Sequence, residues 1–329
     1  MKKILFVAAT AALVLSSCSN EISESFQTKK SDRTALEVKA YMPGMTRAAV
    51  VADFETLTAN GFRLVATSEN EQFDPINELY AYDEGNKSWT ANGTFYWPID
   101  PTAVVSFVGV YDPTGTYEGG ETIDVTTTSN DDEECANDYL VAKKDLSLAT
   151  SNGGAVTLQF KHILAEVQVE VMGNSDITGY AYQVAPVVIK AAATGTYDIA
   201  SEEFEAGELQ EFKVNSAFVS SYNPQDGTYD VEYSSFDKVG TKDYTEIGNP
   251  IMIVPSDYCE ISFQYVVTIE GSNERPTLKE AHAYFMPVAG SLNRLQIVLN
   301  PEKVEIKVKV DGVDEMGEET PELLDQLPW

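Results

Sequence analysis

The chain has little with which to do chemistry. Of its 329 residues three are cysteine and two are histidine, and 22 lysines and arginines face 52 aspartates and glutamates. So few cysteines exclude a disulfide-stapled scaffold. Cys18, Cys135 and Cys259 lack the spacing of a zinc site, and His162 and His282 stand far apart with no ligand cluster beside them. A formal charge of -30 argues against nucleic acid as a partner. There is no Gly-x-Ser-x-Gly, no glycine-rich phosphate loop and no recognisable acid/base pair among the many carboxylates, such as Asp112 and Asp124. No enzymatic activity, metal or cofactor is therefore expected. The acidic run Asp131 to Glu134 has no Asp-x-Asp-x-Asp-Gly pattern and reads as a solvated loop rather than a calcium site.

After the first residues, no apolar run of about 18 residues follows that could span a bilayer. The start itself, MKKILFVAATAALVLSSC, places Lys2 and Lys3 before an apolar stretch from Ile4 to Leu15, then small residues and Cys18. That order is an export signal, and Leu15-Ser16-Ser17-Cys18 resembles a bacterial lipoprotein box, which implies cleavage before Cys18 and acyl chains on it. Several chains matter, because one holds a protein to a membrane only marginally. Residues 18 to 33 are polar and without period, as a flexible tether would be.

The whole chain is 43% hydrophobic, and beyond residue 33 it is rich in Thr, Val and Tyr, with turn residues every eight to twelve positions. That grammar predicts an all-β fold of the sandwich kind, and the length suits two domains. Candidate strands are GFRLVATS, ELYAYD, SWTANGTFYWP, AVVSFVGVYD, ETIDVTTT and NDYLVAKKD. A link at AVTLQFKHILAEVQVEVMG follows, then PVVIKAAATGTYDI, EFKVNSAFV, GTYDVEY, NPIMIVPS, CEISFQYVVTIEG, KEAHAYFMPV, SLNRLQIVLN and KVEIKVKVDGV. The expected division is 34-160 and 161-329.

One segment raises a question of purpose. Leu36, Val38, Ala40 and Met42 alternate with Glu37, Lys39 and Tyr41, so residues 34 to 42 read as a half-buried strand. Pro43-Gly44 then breaks it, and Arg47 follows in what reads as a protease-accessible loop. A cut between Arg47 and Ala48 would detach that strand. Arg33 and Lys29-Lys30 are rival sites that would leave it in place, and Arg63 falls within a predicted strand.

Taken together, the lipobox, Thr46-Arg47-Ala48, Trp89 with Gly93-Thr94-Phe95-Tyr96-Trp97-Pro98, Asp138-Tyr139-Leu140 and Leu158-Gln159-Phe160-Lys161-His162 resemble the fimbrillin-like proteins of Bacteroidales over about Leu36 to Val310. The resemblance implies two tandem transthyretin-like Greek-key β-sandwiches in a lipoprotein carried to the outer membrane surface. It further implies trimming by an arginine-specific protease and assembly with other subunits into a type V pilus. A departing first strand would leave a groove for a strand from a neighbour. The candidate donor is Val304, Ile306, Val308 and Val310. That strand could equally close its own sheet, which would make the chain a tip or anchor subunit or a surface adhesin for host protein or glycan. The acidic tail to Trp329 would have to be accommodated in either case.

Several residues carry blander readings. Phe95, Tyr96, Trp97 and Trp89 could stack on sugars, yet aromatics on strands are more often core. His162 and His282 read as structural, and Cys135 and Cys259 as unpaired. Loss of residues 1 to 17 removes Lys2 and Lys3 and leaves a charge of -32. Residues 18 to 47 hold four acidic and five basic groups, so the trimmed body would carry -33.

Overall fold

Residues 33–43, 52–127, 137–215, 222–223, 228–229, 236–273 and 276–311 are described by the computed structural model. Backbone contacts group Thr34–Trp329 together and set Met1–Arg33 apart. Within the larger unit the protein is all-β, built of several sheets around two main cores.

The first half contributes β1 (Glu37–Tyr41), α1 (Phe54–Asn60), β2 (Phe62–Thr67), β3 (Ile76–Asp83), β4 (Ser88–Thr90), β5 (Val105–Tyr111), β6 (Thr122–Thr126), β7 (Leu140–Leu146) and β8 (Ala155–Gln159). With β9 (Lys161–His162), five of these make an antiparallel six-stranded sheet in the order β4-β3-β2-β5-β7-β9. Alternation drives it: Phe62, Leu64 and Ala66 of β2 are buried, while Arg63 and Val65 are partly exposed. The core beneath collects Phe62, Trp89, Phe107, Leu158 and Phe160. Phe62 has its ring 4.8 Å from Trp89 and 4.9 Å from Phe160.

Helix α1 has no periodic signature in the sequence, because seven residues with a single buried side chain, Leu57, cannot show a helical period. Its signals are at its ends. Asp53 caps it by accepting from the Thr56 amide at 2.8 Å. Gly61, at φ 80°, closes it and donates to Leu57 O at 2.8 Å, and a Cβ there would lie 2.4 Å from Tyr80 O.

The second half adds β10 (Ala165–Gly173), β11 (Tyr180–Ala192), β12 (Thr194–Asp198), β13 (Glu203–Ala206), β14 (Leu209–Lys213), β15 (Tyr222–Asn223), β16 (Thr228–Tyr229) and β17 (Asp237–Val239). The last five strands are β18 (Thr245–Ile253), β19 (Cys259–Ile269), β20 (Thr277–Phe285), β21 (Leu292–Leu299) and β22 (Val304–Asp311). One sheet runs β18-β10-β21-β22, with β10 and β21 parallel. The other runs β14-β11-β19-β20, with β17 also on β11. Val167, Val169 and Val171 of β10 share a core with Ile189, Ile261, Phe263 and Leu295. On its other face β10 buries Glu170, which takes an ion pair from Arg294 and a hydrogen bond from Gln296 Nε2 at 2.9 Å.

The stretch read as one segment, PVVIKAAATGTYDI, is two strands in different sheets. After Ala192 the chain leaves β11, and β12 pairs instead with β6 and β13. This third sheet brings Ile123 and Val125 of the first half into the larger core beside Tyr197.

Candidate assembly site at the amino-terminal strand

β1 and β8 form a parallel two-stranded sheet of their own, in register from Glu37↔Ala155 to Tyr41↔Gln159. They face the six-stranded sheet: a Cβ on Gly109 of β5 would strike the Phe160 ring at 2.7 Å and Leu158 at 3.2 Å. β1 is thus half of the second layer over the first core. Its inward set is Leu36, Val38, Ala40 and Met42, of which Val38 alone is fully buried and the other three are packed against the core from its margin.

The segment is held along both edges. On one side are the β8 ladder, Glu37 N donating to Gly154 O at 3.2 Å, and Phe160 N donating to Tyr41 O at 3.0 Å. On the other, Leu36 N donates to Phe95 O at 2.9 Å and Trp97 N to Thr34 O at 3.0 Å, around the bridge Ala35↔Tyr96. Trp97 is fully buried, and its indole Nε1 donates to Gly154 O at 2.9 Å. Gly154 sits at φ 90°, and a Cβ there would come within 3.0 Å of Thr34 and 3.3 Å of Ala35 O, so glycine lets the strand lie this close. The segment FYWP is consequently a rim of the slot rather than a full strand, and Trp89 and Trp97 are core, as weighed from sequence.

Arg47, Ala48 and Cys18 lie outside the described residues, as do Cys135 and the run Asp131 to Glu134. The chain resumes at Ala52, where a contact missed in the sequence appears. Ala52 N donates to Asp138 Oδ2 at 3.1 Å, and His162 Nδ1 lies 2.6 Å from the same oxygen, with all three residues buried. Asp138 and His162 each belong to a stretch singled out for its resemblance, but nothing in a linear reading places them together. The trio fastens the chain immediately beyond the segment that contains Arg47.

The candidate donor β22 is an edge strand of the second half. It pairs antiparallel with β21 along all of its residues, from Leu299↔Val304 to Leu292↔Asp311. Ile306 and Val308 are buried in the larger core, with Val304 and Val310 half-buried beside them. Cys259 is buried, and desolvation pushes its thiol up to about 11, the Ser256 hydroxyl offsetting this in part. Among the described residues no group of three or more His, Cys, Asp and Glu is placed to hold a metal, and no helix is long and apolar enough to cross a membrane.

A fimbrial protein from Bacteroides vulgatus superposes with a TM-score of 0.58 at 14% identity, over 84% of this chain and 99% of its own. That likeness concerns the fold alone. Looser similarities extend to a protein named for cell adhesion from Bacteroides uniformis, at 18% identity, TM-score 0.46, and 85% and 98% of the two chains. They also reach a fimbrial assembly protein from Parabacteroides distasonis, at 10% identity, TM-score 0.39, and 84% and 96%. No curated protein matches. The sequence pattern of the fimbrillin-like family matches residues 31–311, most of the chain, and the chain belongs to that family.

Proposed function

We propose that this chain is the precursor of a structural subunit of a surface fimbria of the type V kind. In this reading it is lipidated on Cys18, held at the outer membrane, cut between Arg47 and Ala48 by an arginine-specific protease, and assembled by strand exchange with other subunits. The two domains, 34-160 and 161-329, would then be the receiving and donating bodies.

The observation that carries this reading is the position of β1, a separate strand over the first core that pairs only with β8, while Thr34 to Leu36 just before it are held by Phe95 to Trp97. It is also only partly buried. Only Val38 of its four inward residues is fully buried. The spacing of Leu36, Val38, Ala40 and Met42 matches that of Val304, Ile306, Val308 and Val310. Whichever way a donor ran, the place of Ala40 would be taken by Val308 or Ile306. Two or three added carbons there contribute roughly 0.8 kcal/mol each, but valine in the places of Leu36 and Met42 offsets most of this, so exchange is nearly neutral in side-chain burial and rests on the ladder and on release of the cut strand. An uncut β1, tethered in the same chain, competes at high effective concentration and blocks exchange until it is released. The Asp138 contact keeps residues from Ala52 onward on the body after the cut.

The test is to treat the lipoprotein with an arginine-specific protease and run the product, mildly heated, in detergent. Ladders of multimers are expected from the native chain and none from Arg47→Ala. A body that is cut after Arg47 yet stays monomeric would refute the reading.

The pairing of β22 with β21 along its length favours a second reading, in which β22 is not donated. The chain would then be a tip or anchor subunit, or a surface adhesin lipoprotein. The same protease experiment separates the two if a second family subunit with a free donor is supplied: a tip accepts that strand and stops at one addition.

A further inference from the structure

On the outer face of β11, β19 and β20 the cross-strand registers stack three rungs. Val188, Ser262 and His282 form the middle one, flanked on one side by Lys190, Glu260 and Tyr284 and on the other by Gln264 with Glu280. Ser262 is the smallest member of the middle rung, and larger side chains surround it. The result is an open depression of about 370 Å³ lined by Ser262, Gln264, Glu280 and His282, at the small end of the roughly 300–1,000 Å³ typical of small-molecule sites.

An aromatic row leads into it. Tyr258 is 49% exposed and meets Tyr284 edge to face at 6.1 Å, and Tyr284 lies 6.5 Å from the His282 ring. Tyr284 and His282 are two residues apart on one strand and so share the outward face. The polar groups around the hollow are mixed in kind: hydroxyl, amide, imidazole and carboxylate. Gln264 Nε2 donates to Glu280 Oε1 at 2.6 Å, which fixes the amide and the carboxylate beside each other at the hollow.

We infer that this face is a binding site for a neutral saccharide. Flat rings with one apolar face and a polar edge suit the alternating C–H and hydroxyl faces of a pyranose, and an array holding both donors and acceptors suits a ligand that bears many hydroxyls. Charge sets the rest of the specificity. Glu260 and Glu280 border the hollow, Lys190 lies 3.9 Å from Glu260 and 3.6 Å from Glu211, and the chain carries -30, so sialylated or uronic glycans are repelled. A second copy of the chain carries the same charge and fits the face poorly for the same reason. The site is independent of strand exchange and on the opposite side of its sheet from the core. Beside it Tyr258 is about half exposed and Tyr284 partly so, unlike the buried Trp89 and Trp97.

The test is saturation-transfer NMR on the full chain with galactose-, mannose- and N-acetylglucosamine-terminated neutral oligosaccharides, each beside a sialylated counterpart. Transfer to at least one neutral probe is expected. It should fall at least tenfold in Tyr284→Ala and in Ser262→Trp, which fills the hollow, with the far-ultraviolet circular dichroism unchanged. The exposed Tyr258→Ala, which leaves the rungs intact, should weaken binding several-fold and guards against misfolding of the other two. Absence of transfer from all neutral probes overturns the inference, as does preference for the sialylated ones or binding indifferent to all three substitutions. Dimerisation of the native chain that Tyr284→Ala abolishes would overturn it in favour of self-association.

Discussion

Val38 is the side chain of β1 most completely shut away from water, so it is where the slot should be most sensitive. Val38→Ala removes two methyl groups from a 3% exposed position and should cost about 2 kcal/mol of the first core's stability, read as a lower urea midpoint. Asp138 is a stronger case. Its loss leaves His162 and the Ala52 amide buried without their acceptor, and Asp138→Ala should cost about 3 kcal/mol by the same measurement. Asp112 ties acid sensitivity to one loop. Burial by itself would raise its carboxyl, but hydrogen bonds from Thr114, Tyr117 and Thr116 outweigh this and hold it below the usual carboxylate range. A depressed folded value contributes stability that is present above the unfolded carboxylate range and is lost as pH falls through the folded value. Asp112→Asn should therefore flatten the acid limb of stability below about pH 4, and an unaltered limb would contradict this account. The Asp112 turn is local, its donors lying two to five residues on, whereas Asp138 and His162, or Ala52 and Asp138, meet only through the path of the sheet and cannot be seen in the linear sequence.

Strands were legible where one face is buried, as in β2, β19 and β22, because alternation writes burial directly into sequence. β10 alternates as well, Val167, Val169 and Val171 against Glu166, Gln168 and Glu170, yet it is buried on both faces, which alternation does not disclose. What failed was local: a seven-residue helix, the irregular rim Phe95 to Trp97, and the turn at Ala193 where the chain changes sheet. The strand is legible in the alternation of Leu36 to Met42, but its parallel pairing with β8 depends on residues more than a hundred positions away, and the clamp before it on Phe95 to Trp97, also distant in sequence. For β22 the balance at this scale is close. Four aliphatic side chains give roughly 6 to 12 kcal/mol on burial, and ordering seven backbone residues costs about 7 to 14 kcal/mol. Exchange thus depends on the ladder as well as on side chains. Charging the inward face should tip it: Ile306→Asp with Val308→Asp should abolish protease-induced ladders. Because both residues are buried at home, the double variant should also lower the melting temperature of the uncut monomer. Ladders that survive the double substitution would remove β22 as the donor.

At the scale of the whole molecule, charge opposes the proposed assembly. The chain carries -30, and the body left by a cut after Arg47 would carry -33, since the departing residues include more basic groups than acidic ones. Two such bodies repel over the Debye length, about 30 Å at 0.01 M salt, 10 Å at 0.1 M and 3 Å at 1 M. In the proposed strand exchange, donor and acceptor come into contact, so the encounter step would cross that field, whereas the paired ladder, once made, would be little affected by it. Salt should accordingly act on the rate rather than on the stability of the product. Raising ionic strength from 0.01 M to 0.1 M should speed multimer formation by the cut protein by roughly tenfold or more, with a smaller gain up to 1 M, because screening then falls below the size of the contact. Time courses of ladder growth at these three salt concentrations measure it directly, with Arg47→Ala as the unreactive control. A rate independent of salt would mean that the approaching ends are locally complementary, with basic residues such as Lys307 and Lys309 on the outward face of β22 cancelling the acidic surround where it matters. The variant Lys307→Glu with Lys309→Glu decides between these cases. Under general repulsion it shifts the rate modestly and steepens the salt dependence, and under local steering it stops assembly at low salt altogether.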